Sequence, residues 1–119
     1  MVNMQEVEQD TTDIISDSVV DVYCTLVGIP DSEINMVIAL ARCESGRYHS
    51  QICRENHNLF GMKYHKSMPT VALKDSNGYA YYDTYLMSCV DLALYFRKYG
   101  YGLEGYSSVK NYKDFLLNE

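Results

Sequence analysis

The 119-residue sequence has no tryptophan, only two prolines and no run approaching the roughly 20 apolar residues that a membrane-spanning helix needs. A helical membrane span is therefore not expected. Residues 1 to 12, MVNMQEVEQDTT, are polar and acidic and show neither the basic start nor the apolar stretch of an export signal, so nothing here directs secretion. Cys24, Cys43, Cys53 and Cys89 form no C-x-x-C pair and no zinc-type repeat with histidine. His49, His57 and His65 recur at a spacing that fits no helix face and no familiar metal pattern, so no metal is expected. The cysteines are compatible with disulfides in an oxidising compartment and equally with buried free thiols. A Gly-rich phosphate loop, a Ser/His/Asp arrangement and a basic stripe are all missing. With a formal charge of -6, nucleic acid and anionic lipid drop out as main partners, because both recruit clustered Lys and Arg.

What is present is the make-up of one globular domain, with 47% hydrophobic and 22% charged residues. A chain of this length buries roughly two-thirds of its unfolded surface, enough for a core without a metal or disulfide framework. Residues 1 to 12 read as a solvated tail and 13 to 119 as a single domain, expected to act as a monomer. From Asp13, Ile15, Val19, Val22, Tyr23, Leu26 and Val27 recur at helical spacing until Gly28. Asp31 or Ser32 can cap a second helix with Ile34, Val37, Ile38 and Ala41 on its buried face, ending near Gly46. Residues 47 to 69 read as loop and short helical turns. Val71 and Leu73, then Tyr79 and Tyr81, alternate around the turn-forming Asp75-Ser76-Asn77-Gly78, which predicts a β-hairpin. Ser88-x-x-Asp91 has the form of a capping box, leading into a buried helix with Val90, Ala93, Leu94 and Phe96 that ends before Gly100. A last short helix spans Val109 to Leu117. The fold class is α+β, mainly helical, with one small hairpin lobe.

Glu44 follows Val37, Leu40 and Ala41 by seven, four and three residues, so on a continuous helix it leaves from the apolar side. Partial desolvation and the negative end of a helix both favour the neutral form of a carboxyl group. A neutral carboxyl beside a cleft can protonate the leaving oxygen of a glycosidic bond. A helix cap, or a partner for Arg42 or Arg47, is the competing reading of Glu44. Arg42, two positions earlier, is expected on the solvent side.

Gly28-Ile29-Pro30-Asp31-Ser32, Ala39-Leu40-Ala41-Arg42-Cys43-Glu44-Ser45-Gly46, Ser50 and Asn58-Leu59-Phe60-Gly61-Met62-Lys63, read together, resemble glycoside hydrolase family 73, whose members are peptidoglycan glucosaminidases. Tyr79-x-x-Tyr82-Asp83-Thr84-x-x-x-Ser88-x-x-Asp91 is similar to the family's aromatic-x-x-Tyr-x-Ser segment, so the likeness covers about residues 26 to 96. The resemblance implies a lysozyme-like fold and hydrolysis of the β-1,4 bond after N-acetylglucosamine in glycan strands, with Glu44 as general acid and no cofactor. Tyr82 matches the family's active-site tyrosine. Tyrosine rings stack on sugar faces while their hydroxyls bond sugar oxygens, which suits Tyr64, Tyr81 or Tyr82 to a glycan cleft. Tyr23, Tyr95 and Tyr112 fall at core spacing. Asn58, Phe60, Tyr81 and Asp83 are the candidate substrate contacts, although Phe60 is better suited to anchoring the loop beneath the cleft.

Many members carry a second acid on the hairpin lobe, where this chain reads Thr70-Val71-Ala72-Leu73-Lys74-Asp75 without a Glu. Asp75 is the nearest carboxylate, with Asp83 a weaker candidate; the sugar's own acetamido group is an alternative nucleophile. Two rivals follow: a lytic transglycosylase using the same Glu44, and an inactive wall-binding or virion domain. A wall hydrolase without an export signal has to be carried or released, as a bacteriophage lysis or virion protein would be, or trimmed from a secreted precursor.

Overall fold

The computed structural model describes residues 14–67 and 69–101. The polar tail 1–12, the expected helix start at Asp13, the closing helix Val109 to Leu117 and Tyr112 lie outside the described residues. Within them are four helices and one hairpin: α1 (Asp17–Leu26), α2 (Asp31–Glu44), α3 (Gln51–Asn56), β1 (Lys74–Ser76), β2 (Tyr79–Tyr81) and α4 (Tyr85–Tyr99). The fold is mainly helical α+β, as the sequence patterning predicts. None of the described helices is long and apolar enough to cross a membrane.

Ser16 opens α1, its Oγ accepting from the Val19 amide at 3.3 Å, and Asp17 places a negative charge against the positive helix end. The buried row is Val20 and Cys24, with Ile15, Tyr23 and Val27 packed beside it. Val22 and Leu26, expected inward, are instead 56% and 68% exposed. They sit about 200° around the helix from Val20 and Cys24, and a helix with apolar residues on every side does not reveal which row faces in. In α2 the expected face is the observed one, with Ile34, Val37 and Ala41 buried and Ile38 packed beside them. Its cap differs from expectation. Asp31 is already the first helical residue, and Pro30 holds the cap position at φ -59° and ψ 143° with no side-chain bond. Proline suits this end because its missing N–H would have had no partner in the helix.

The hairpin pairs Lys74 with Tyr81, Asp75 with Ala80 and Ser76 with Tyr79. Asn77 and Gly78 alone make its turn, at φ 57° and 86°, the left-handed pair that matches strand twist in two-residue hairpins. Asp75 and Ser76, expected in the turn, are strand residues. Leu73 adds one rung through its amide to the Tyr81 carbonyl at 2.8 Å. Thr70 and Val71 leave the ladder for α4.

Ser88-x-x-Asp91 is not a capping box. α4 begins three residues earlier, after Thr84 at φ -140°, and both Ser88 and Asp91 lie inside the helix, turned to the core. Burial there needs polar partners, and each has one. Ser88 Oγ accepts from the Leu59 amide at 3.1 Å, and Asp91 takes three donors described below. The deepest face of α4 is accordingly Ser88, Cys89, Leu92, Tyr95 and Phe96, while Val90, Ala93 and Leu94, expected inside, are half-buried. Cys24, Cys53 and Cys89 are buried free thiols. Those of Cys24 and Cys89 meet between α1 and α4.

Candidate active site

Glu44 is the last residue of α2 and is half-buried. The chain beyond it is locked by Ser45, which is fully buried and accepts from the Tyr48 amide at 2.8 Å. Further bonds run from Arg47 N to Arg42 O at 2.8 Å and from Ser50 N to Ser45 O at 3.0 Å. Gly46, Arg47 and Tyr48 have φ of 59°, 56° and 72°, three left-handed residues in succession. Gly46 adopts this freely, whereas Arg47 and Tyr48 hold a conformation that costs an ordinary residue about 1–2 kcal/mol. The E-S-G tripeptide thus fixes the direction in which α2 ends.

Arg42 points away from Glu44 toward solvent, as expected, and pairs with Asp17 of α1 through both Nε and Nη2. The Tyr48 hydroxyl donates to the same carboxylate at 2.7 Å. These two bonds, Arg42 first, hold the Asp17 carboxyl down at about 2. Burial and the Asp17 carboxylate push the Tyr48 phenol up, so it remains a donor.

The N-L-F-G-M-K segment is scaffold. Asn58 Nδ2 donates to the carbonyls of Met62 and Ala80, both at 2.9 Å, while its Oδ1 accepts from the Met62 amide at 3.0 Å. One side chain therefore closes a tight turn and ties it to β2. Gly61 sits inside that turn at φ 65°. Phe60 is fully buried in the core. Asn58 and Phe60 are corrected from substrate contacts to packing residues, because neither reaches a surface.

Tyr82 is also fully enclosed, its hydroxyl donating to Asp91 Oδ2 at 2.6 Å. Thr70 Oγ1 donates to the same oxygen at 2.7 Å and the Val71 amide to Oδ1 at 3.1 Å. Burial, with the Asp91 carboxylate adding to it, pushes the Tyr82 phenol up and keeps it protonated. In this geometry Tyr82 positions the loop and the strand-to-helix corner, its hydroxyl directed at Asp91, which together with Thr70 lines a pocket of about 260 Å³. Tyr81 and Tyr64 are half-buried, with Lys74 Nζ lying 4.9 Å from the Tyr81 ring centre. Asp83 is exposed just before α4, and Asp75 is exposed on β1 with Oδ1 accepting from the Gly78 amide at 2.7 Å.

Three residues connect these parts: Cys53 and His57, to which the sequence assigns no role in the site, and Tyr85, which it does not single out. The Cys53 thiol bonds both Ser45 and Tyr85, linking the end of α2 to the start of α4. Tyr85 meets the His57 ring edge-on at 4.9 Å, and His57 meets Tyr81 at 6.4 Å. His57 Nδ1 lies 2.9 Å from the Tyr82 carbonyl, which only accepts, so Nδ1 carries the proton. A continuous line of contacts thus runs from the residue after Glu44 to the tyrosine segment. The sequence signal for it was faint: His57 adjoins N-L-F-G-M-K, but its left-handed φ of 51° is visible only in three dimensions.

A family model described as glucosaminidase, mannosyl-glycoprotein endo-β-N-acetylglucosaminidase, matches residues 25–118. That places the chain among the glycoside hydrolases, with a glycan as its class of substrate. The chain belongs to the glucosaminidase family, glycoside hydrolase family 73, and its kind of function is peptidoglycan hydrolysis. No curated protein and no solved structure matches it.

Proposed function

We propose that the protein cleaves the β-1,4 bond after N-acetylglucosamine in the glycan strands of bacterial peptidoglycan, with Glu44 protonating the leaving oxygen. The observation that carries this is the setting of Glu44: a half-buried carboxyl at the end of a helix, followed by a turn that Ser45 locks from inside. A general acid has to be held in place before substrate arrives, and a buried serine beneath a left-handed turn supplies that rigidity.

The partner of Glu44 is proposed to be the substrate's 2-acetamido group, attacking the anomeric carbon as the glycosidic bond breaks, with water then opening the intermediate. Asp75 supports this reading by its position, since one of its oxygens is engaged in closing the hairpin. Asp83 remains the carboxylate closest in sequence to the tyrosine corner. Tyr82, through Asp91, holds that corner in place. A lytic transglycosylase, which would break the bond after N-acetylmuramic acid instead, with that sugar's own 6-hydroxyl closing on its anomeric carbon in the place of water, is favoured by one observation: the segment from Thr70 to Asp75 carries no Glu. The site of action is then the bacterial cell wall, with delivery by a bacteriophage particle or lysis system as one route.

Purified peptidoglycan digested with wild type and with Glu44→Gln, reduced with borohydride and read by mass spectrometry, tests the proposal. Reduced N-acetylglucosamine ends that vanish in the variant are the expected result. Anhydromuramic ends would replace the hydrolase with the transglycosylase, and absence of fragments from folded wild type would leave a wall-binding domain.

A further inference from the structure

Arg42, Arg47, His49 and Arg54 surround a pocket of about 600 Å³, together with Tyr48 and Tyr85. In a chain of net charge -6, such a gathering of cations runs against the overall field and is not explained by solubility. Among the described residues Asp17 is the one carboxylate lining the pocket, and it is taken by Arg42 and Tyr48. The Asp17 carboxylate also feels the charge of Arg47, more weakly than that of Arg42. Arg54 is held by its Nε, which donates to the His49 carbonyl at 3.1 Å. Arg47 is fixed at its backbone by the left-handed turn that Ser45 and Asp17 brace from either side. Strain of this kind persists only where the surroundings enforce it, and it concentrates at functional sites. One guanidinium held by a hydrogen bond and a second carried on a fixed backbone, both lining a hollow, suit a planar anion, which a guanidinium grips through paired N–H donors.

We infer that this pocket is a subsite for the carboxylate-bearing peptide stem of the glycan strand. The inference rests on the Glu44 reading, because the pocket shares the 45–50 turn with the end of α2 and faces the opposite side of that helix. A helix is about 10–12 Å across, and five extended residues span up to about 17 Å. A stem hanging from a sugar beside Glu44 therefore reaches around the helix end to the arginines. Ile14 and Ile15 on the pocket wall offer apolar contact to the stem's alanine methyls, and the carboxylates of its acidic and terminal residues meet Arg47 and Arg54. Binding there would favour glycan that still carries its peptides.

The test uses the full chain with two readouts. Free stem pentapeptide is titrated in while the amide resonances of residues 45–54 are followed. The fully amidated peptide, and glycerol phosphate as a mimic of wall-polymer phosphate, serve as controls. Expected are shifts at Arg47, Tyr48 and Arg54 with the carboxylate peptide, and binding about tenfold weaker for the amidated peptide or for Arg47→Gln/Arg54→Gln. In parallel, digestion of intact peptidoglycan is compared with that of glycan stripped of its stems. The wild type should prefer stem-bearing strands, and the double variant should lose that preference through KM. Peptide binding without any cleavage by the wild type would sink the Glu44 reading and leave the carboxylate site standing. Cleavage without peptide shifts, an unchanged preference in the variant, or stronger binding of glycerol phosphate would each overturn the stem subsite.

Discussion

Asp91 is 7% exposed and gathers three donors from distant parts of the chain, which makes Tyr82→Phe a sharp test of how the tyrosine works. A hydrogen bond to a charged group contributes about 1.5–3 kcal/mol. Phenylalanine fills the same space and leaves Asp91 with Thr70 and Val71, so the expected loss is near the lower end, about 2 kcal/mol. Asp91→Ala does more. It strands the hydroxyl of a fully buried tyrosine as well as the two loop donors, at about 3–5 kcal/mol. With Ala at 91, Tyr82→Phe removes a hydroxyl that no longer has its partner, and should then cost almost nothing. The coupling in the double-mutant cycle is therefore about 2 kcal/mol. Urea unfolding at constant m measures it, and the single Tyr82 variant should melt about 8–16 °C lower. Effects that add to within about 0.5 kcal/mol would show that the 2.6 Å bond carries no stability. Lost turnover with unchanged stability would be more damaging still, because it would mean that the hydroxyl meets substrate and not Asp91.

The Asp17 carboxyl, held at about 2 by Arg42 and Tyr48 against an ordinary 3.8, contributes stability that is complete above the unfolded value. Acid titration of the unfolding free energy should show this part lost as pH falls through 3.8 toward about 2, and Arg42→Gln should flatten that stretch of the curve. Gly46→Ala should destabilise by about 1–2 kcal/mol in urea, since the new Cβ meets nothing nearer than Ser50 N at 3.9 Å and only the left-handed backbone is penalised; a loss above about 4 kcal/mol would reveal a clash the structure does not contain. The neighbouring thiols of Cys24 and Cys89 should join when the chain is refolded with oxidised glutathione. The closed loop of about 65 residues gives an upper stabilisation of about 4 kcal/mol. Peptide mapping checks the pairing, and thiols that both remain free to alkylate would refute it.

Features written locally were legible in the sequence, and those written across the chain were not. Asn77-Gly78 announces its hairpin because both residues tolerate positive φ, whatever surrounds them. The face of α2 can be read because Ile34, Val37 and Ala41 repeat on one side while Asp31, Ser32, Asn35 and Arg42 fall on the other, and that same period leaves Glu44 half-buried. By contrast, Ser88-x-x-Asp91 has the form of a cap, yet its hydroxyl serves an amide 29 residues away and its carboxylate a loop 20 residues away. No local pattern specifies such partners. The same distinction divides the family's own motifs. Asn58, Phe60 and Gly61 make N-L-F-G-M-K distinctive, but they do so by closing a turn, filling the core and allowing a left-handed backbone. They identify the fold. On the proposed reading the chemistry is concentrated at the end of α2, where a short and weakly distinctive tripeptide supplies Glu44, the buried serine beneath it and the glycine that turns the chain toward Arg47. A relative that kept N-L-F-G-M-K and lost Glu44 should therefore keep this architecture while losing hydrolysis, so membership of the family and activity have to be tested separately, the first by structure and the second at one carboxyl group.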